Sequence, residues 1–338
     1  MNGFNNSNQN NDCINNNCNN TNRFNTTSNN NNFNNNIGND NNKFKNSNYN
    51  NNTIVPPLRD TTSQISRNMS EGKDIFNNNR ESKNTFQEVD ETSETLSKER
   101  FAAFRTIVMT LLYVARRTRP DIIFHVTWLT SRMTVATNQD MAKLNHLLMY
   151  LNGTKLIGMR LVPEKQSSAM IALVDSSHGL HQSGHGHWGL VIKLHGMTVL
   201  AMSRKLKLVT RSSCESEILG VNEAGVYILF LKEFLESLGL SINTPVPIYQ
   251  DNESCIGILQ GDHKIAMSSK HMHLRTLWVM DYIKRLIFVM RHLDTKRLSA
   301  DMLGKSLCGL LFRRHRYGIM KWPGTKPYED FESVYDEK

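Results

Sequence analysis

At 338 residues, with 39% hydrophobic content and a net charge of +9, the chain is long enough for one or two globular domains. It lacks the run of about 18 apolar residues that a membrane helix needs, and its start has no apolar core of a secretory signal. Its five cysteines, Cys13, Cys18, Cys214, Cys255 and Cys308, form no Cys-x-x-Cys pair, which excludes a disulfide framework or zinc ribbon and suits a reducing compartment.

The charge is uneven. Residues 1–97 hold eight Lys/Arg and ten Asp/Glu, a net of −2, so residues 98–338 carry +9 − (−2) = +11. A basic globular part suits a polyanionic partner, most simply nucleic acid. Residues 1–52 contain 28 asparagines and too little apolar surface to offset ordering entropy, so they are expected to be disordered; residues 53–97 read as polar linker.

Apolar residues at helical spacing begin after Glu99 and predict a helix over Phe101–Ala115. Asp121 is expected to cap a second helix, Ile122–Met133, and a third runs from Gln139 to Leu151, stopped by Asn152-Gly153. The pattern then changes. Met170–Val174 reads as a buried strand, followed by Trp188–Leu194 and Thr198–Met202 around a His195-Gly196 turn. Ser212-Ser213-Cys214-Glu215 has capping-box spacing and opens a helix whose Ile218, Leu219, Val221 and Ala224 point inward; helical pattern continues to Leu238. A strand at Val246–Tyr249, a short helix from Glu253, a longer one over Lys270–Arg285, a strand at Ile287–Arg291 and a last helix near Ser299–Leu307 complete the series. Three antiparallel strands and then alternation with helices predict an α/β fold with a mixed sheet covered by helices.

Four acids fall at element ends or inner faces in this part: Asp175, Glu217, Asp251 and Asp301. A buried carboxylate is costly unless it is paired or binds a metal. Four of them meeting at one sheet end would suit two Mg²⁺ ions, which take oxygen ligands and, about 4 Å apart, clamp both oxygens of a phosphodiester undergoing displacement. The four histidines in Asp175-Ser-Ser-His178-Gly-Leu-His181-Gln-Ser-Gly-His185-Gly-His187 are the competing metal candidates, but Asp175 is the more informative residue there.

The motifs also resemble a known family. Leu111–Ile122, Met149–Lys155, Val174–Ser177, Arg211–Ile218, Gln250–Ser254, Ser269–Arg275 and Leu298–Lys305 are similar, in the same order over about 195 residues, to blocks at the C-terminal end of copia-type LTR-retrotransposon Pol polyproteins, where the reverse transcriptase closes and a ribonuclease H follows. The resemblance implies a ribonuclease H-like mixed five-stranded sheet flanked by helices over residues 156–320. This part would be preceded by a helical remnant of the polymerase at 98–155 and the disordered Asn-rich N-terminus, and followed by a tail at 321–338. It implies Mg²⁺, with Mn²⁺ as substitute, held by Asp175, Glu217, Asp251 and Asp301. The substrate would be the RNA strand of an RNA–DNA hybrid. No small-molecule cofactor is implied, and the setting would be intracellular, in cytoplasmic virus-like particles or the nucleus. No two aspartates are adjacent in the chain, so reverse transcription by the chain alone is not expected. Where the family has a second aspartate after Asp175 this chain has Ser177, and His273 stands where the family has aspartate, beside Lys270, His271 and Arg275, which form a basic cluster suited to hybrid backbone. The altered first motif keeps a second reading open, a catalytically inactive remnant that only binds nucleic acid. An integrase-type transposase is disfavoured, because no His/Cys spacing for a zinc module is present.

Overall fold

The computed structural model describes residues 86–163, 170–262 and 270–322; the Asn-rich start, the linker up to residue 85 and the tail beyond residue 322 lie outside the described residues. Five strands form one sheet: β1 (Met170–Ser177), β2 (His187–Leu194), β3 (Met197–Lys205), β4 (Val246–Gln250) and β5 (Phe288–His292), in the order β3-β2-β1-β4-β5. The first three run antiparallel, while β1 pairs parallel with β4 and β4 parallel with β5. The β2–β3 turn is built as its dipeptide predicts. His195 and Gly196 take positive φ, 48° and 78°, the left-handed pair whose twist matches that of a two-residue hairpin.

The apolar run of β1 resolves into the two-residue period of a strand covered on both faces. Met170, Ala172 and Val174 join one core, whereas Ile171 and Leu173 join a second. The first core is closed by α4 (Ser213–Ser237), α5 (Glu253–Gln260) and α6 (Lys270–Lys284), through Ile218, Val221, Ala224, Leu259 and Val279. The second lies under α1 (Lys98–Arg117), α2 (Ile123–Ser131), α3 (Asn138–Gly153), α7 (Asp301–Gly304) and α8 (Gly309–Met320). Phe104, Val108, Leu111 and Ala115 give α1 its buried stripe at helical spacing, and a full capping box, Thr137 with Asp140, starts α3. Among the described residues, no helix is long and apolar enough to cross a membrane.

Several expectations change. Asp121 caps nothing: Pro120–Ile122 form a 3-10 turn, and the buried carboxylate instead accepts from Arg119 Nε and Nη2 at 2.9 and 2.7 Å and from the Tyr150 hydroxyl at 2.6 Å. A bidentate charge-assisted pair is stronger than a cap bond to a backbone N–H. The expected helix over 299–307 shrinks to the single turn of α7, and α8 was not expected at all. Its Arg313-Arg314-His315-Arg316 run reads as polar surface, yet His315 and Arg316 are buried, with Arg316 Nη1 donating to the Tyr150 hydroxyl at 3.0 Å. Residues 86–97, read as linker, lie against the helices: Leu96 is buried and its N–H donates to the Ala136 carbonyl at 3.1 Å.

Candidate metal centre

Asp175 continues the inward series of Ile171 and Leu173 to the C-terminal end of β1. Asp251 directly follows β4, the parallel neighbour, so both acids emerge at one sheet end. Glu217 comes from the second turn of α4, on the other face. One carboxylate oxygen from each of Asp175, Glu217 and Asp251 lies within 4.8 Å of the others. Asp301, the first residue of α7, is fully buried beside them but falls outside that trio; its Oδ1 is paired with the Lys305 ammonium one turn on, and its Oδ2 is 3.8 Å from His315 Nε2.

Neighbours hold these acids in place. Gln250 Nε2 donates to Glu217 Oε2 at 2.9 Å, and the Thr295 hydroxyl donates to Asp251 Oδ2 at 2.6 Å. Gly304 packs so closely on Asp175 Oδ2 that a Cβ there would have no room. Asp175 and Glu217 are buried, while Asp251 is half-buried and forms the open side of the cluster. Burial, then the charge of Asp301, push the Asp175 carboxyl up to about 8, with Asp251 adding to the shift and Lys305 opposing it. Burial, then Asp175 and Asp251, hold Glu217 well above the usual carboxylate range. Burial also raises Asp301, against the pull of Lys305. Lys305 is itself raised, because Asp175 and Asp301 together outweigh its desolvation. Packed acids that repel one another are in an environment a hard divalent cation would relieve. Asp175 Oδ2 and Asp301 Oδ2 are buried without a hydrogen-bond partner, and the trio offers only oxygen donors, so the residues fit Mg²⁺.

The histidine-rich loop is built into the packing. Ser203 Oγ donates to the Leu303 carbonyl at 2.7 Å, so it accepts from His187 Nε2 at 2.7 Å; His187 Nδ1 then accepts from His181 Nε2 at 3.0 Å. His181 stacks on Trp128 of α2, and His187 meets Phe124 edge-on. Burial lowers His181 to about 4 and His187 well below the usual imidazole value, so both stay neutral. His178 bonds Thr210 and Ser216 and His185 bonds Ser183, so all four histidines are engaged within the fold.

In the basic cluster on α6, Lys270 and His271 are exposed, but Arg275 is engaged: its Nη1 donates to Glu223 Oε1 at 2.9 Å and Asn222 Oδ1 at 3.0 Å, tying α6 to α4. The site residues that sequence reasoning missed are Gln250, Thr295, Gly304, Lys305 and His315. Gln250, Gly304 and Lys305 sit inside quoted motifs with no role read into them, and nothing in sequence marks Thr295 or His315.

Three antiparallel strands followed by two parallel ones, in the order 3-2-1-4-5 with helices on both faces, define a ribonuclease H-like fold with acids at its sheet end. No family model matches the chain. The chain is similar to the retrovirus-related Pol polyprotein from transposon RE2 of Arabidopsis thaliana, 26% identical over 233 residues that cover 65% of this chain. It is also similar to that from transposon TNT 1-94 of Nicotiana tabacum, 25% identical over 203 residues and 60% of the chain. These relatives are copia-type Pol polyproteins, as the seven motifs imply, and the matched part spans about 15% of their length. Among solved structures, LC11-RNase H1 in complex with RNA/DNA hybrid is 17% identical, over 40% of this chain and 92% of that one, with a TM-score of 0.31. A foamy viral protease-reverse transcriptase in complex with RNA/DNA hybrid is 10% identical, over 69% of this chain and 27% of that one, with a TM-score of 0.32. Likeness at this level adds nothing to what the strand order establishes.

Proposed function

We propose that the chain is the ribonuclease H part of a copia-type Pol polyprotein, hydrolysing the RNA strand of RNA–DNA hybrids with divalent metal. The observation that carries this reading is the meeting of Asp175, Glu217 and Asp251 oxygens within 4.8 Å at the sheet end. These three residues would hold Mg²⁺, with Asp301 flanking them. Bound there with the hybrid in place, two ions supply charge neutralisation at the scissile phosphodiester and a more acidic water. The chain's own groups do the rest. Gln250 and Thr295 orient Glu217 and Asp251, packing against Gly304 keeps Asp175 oriented and water-poor, and half-buried Asp251 marks where the phosphate approaches. Lys270 and His271 would contact hybrid backbone, with Arg275 supporting their helix through its link to α4. Residues 98–155 would be the end of the polymerase, retained as cover for one sheet face, and the activity would serve in cytoplasmic particles or the nucleus.

The test is cleavage of a labelled RNA–DNA hybrid by the full chain. Cleavage is expected in Mg²⁺ or Mn²⁺, with loss on Asp251→Asn and weaker, salt-sensitive binding on Lys270→Glu. Hybrid binding with no turnover in either metal would overturn the nuclease reading and leave the inactive binding remnant.

A further inference from the structure

Asp301 poses an electrostatic problem distinct from that of the trio. It is fully buried, and only two groups approach its carboxylate among the contacts of the described residues, Lys305 and His315. His315 stands off at 3.8 Å from Oδ2, whereas the Lys305 ammonium is in direct contact with Oδ1, so the near counter-charge is Lys305. Gly304 packs against Asp175 Oδ2, and Lys305, the residue after it, lies one turn after Asp301. Its side chain is 39% exposed, so its stem reaches in from the surface and can swing out. The ammonium is thus paired with one buried acid on a turn packed against another, each acid with an oxygen lacking a hydrogen-bond partner, a setting suited to a second cation.

We infer that Lys305 is a built-in cation that holds Asp301 in place of a metal, so that the substrate-free protein takes one divalent ion at Asp175, Glu217 and Asp251, and withdrawal of the ammonium opens a second place between Asp175 and Asp301. This rests on the metal-centre reading above and adds an occupancy control to it. Lys305 is a positioning residue here, acting through Asp301 and Asp175. A lysine that served only to pack α7 against β1 would leave the number of ions unchanged.

The experiment counts Mn²⁺ bound per full-length chain, by electron paramagnetic resonance and by calorimetric titration, in the absence of nucleic acid. Wild type is expected to bind one ion, Lys305→Met two and Lys305→Arg one, and Lys305→Met combined with Asp301→Asn to return to one. Lys305→Gln, neutral but still able to donate to Asp301, is expected to bind two and serves if Lys305→Met does not fold. Two ions in wild type, or one in both neutral variants, would overturn the role of Lys305 while leaving the metal centre intact. No binding by wild type, with Asp175→Asn indistinguishable from it, would instead overturn the metal-centre reading itself.

Discussion

Replacing Asp175 with asparagine should abolish cleavage and yet stabilise the metal-free protein. Folding lifts this carboxyl from 3.8 to about 8, chiefly by burial and next by Asp301. A raised carboxyl favours the protonated form in the folded state, so its contribution is intact below about pH 4 and is lost as pH climbs towards 8. At 1.36 kcal/mol per pH unit, the loss across that window is on the order of 5 kcal/mol. For a folded unit of this size that corresponds to about 10–20 °C in Tm. The asparagine keeps the shape and removes the charge. Thermal melts in chelator at pH 5 and pH 8 should therefore show wild type losing stability relative to Asp175→Asn as pH rises, with the variant the more stable at pH 8. Saturating Mg²⁺ should erase the wild-type deficit and leave the variant unmoved. If Asp175→Asn is no more stable than wild type at pH 8 in chelator, the acids are not crowded in the way the geometry requires.

A fragment beginning at residue 156 should aggregate, while residues 86–322 fold, because α1 to α3 cover the sheet face that carries Ile171, Leu173 and Val191; a cooperative melt of the short fragment at the full-chain Tm would refute this. Ser203→Ala should cost about 2–4 kcal/mol in denaturant titration, because it leaves His187 Nε2–H and the Leu303 carbonyl buried without partners.

The strands were legible because their cue is local. Met170–Val174 and Trp188–Leu194 are dense in branched apolar residues, and His195-Gly196 is a turn dipeptide; the observed strands run at most a few residues longer. The failures have a different cause. Asp121 sits where a cap belongs, but its partners are Arg119 and Tyr150, the latter 29 residues away. The α8 helix hides because Arg316 and His315 look like surface until Tyr150 and Asp301 are brought to them. Arg275 looked free to meet phosphate, and Glu223, 52 residues earlier, already holds it.

Sequence alone determined the order and type of most elements, the family resemblance and the acids Asp175, Glu217, Asp251 and Asp301, because side-chain period, turn chemistry and motif spacing are written along the chain. Tertiary structure alone decided that three of the acids share a centre while the fourth is paired with Lys305, and that His181 and His187 are buried in the packing. Those outcomes turn on distances and dielectric burial between residues far apart in the chain, and such quantities exist only once the sheet has closed between its two helical layers.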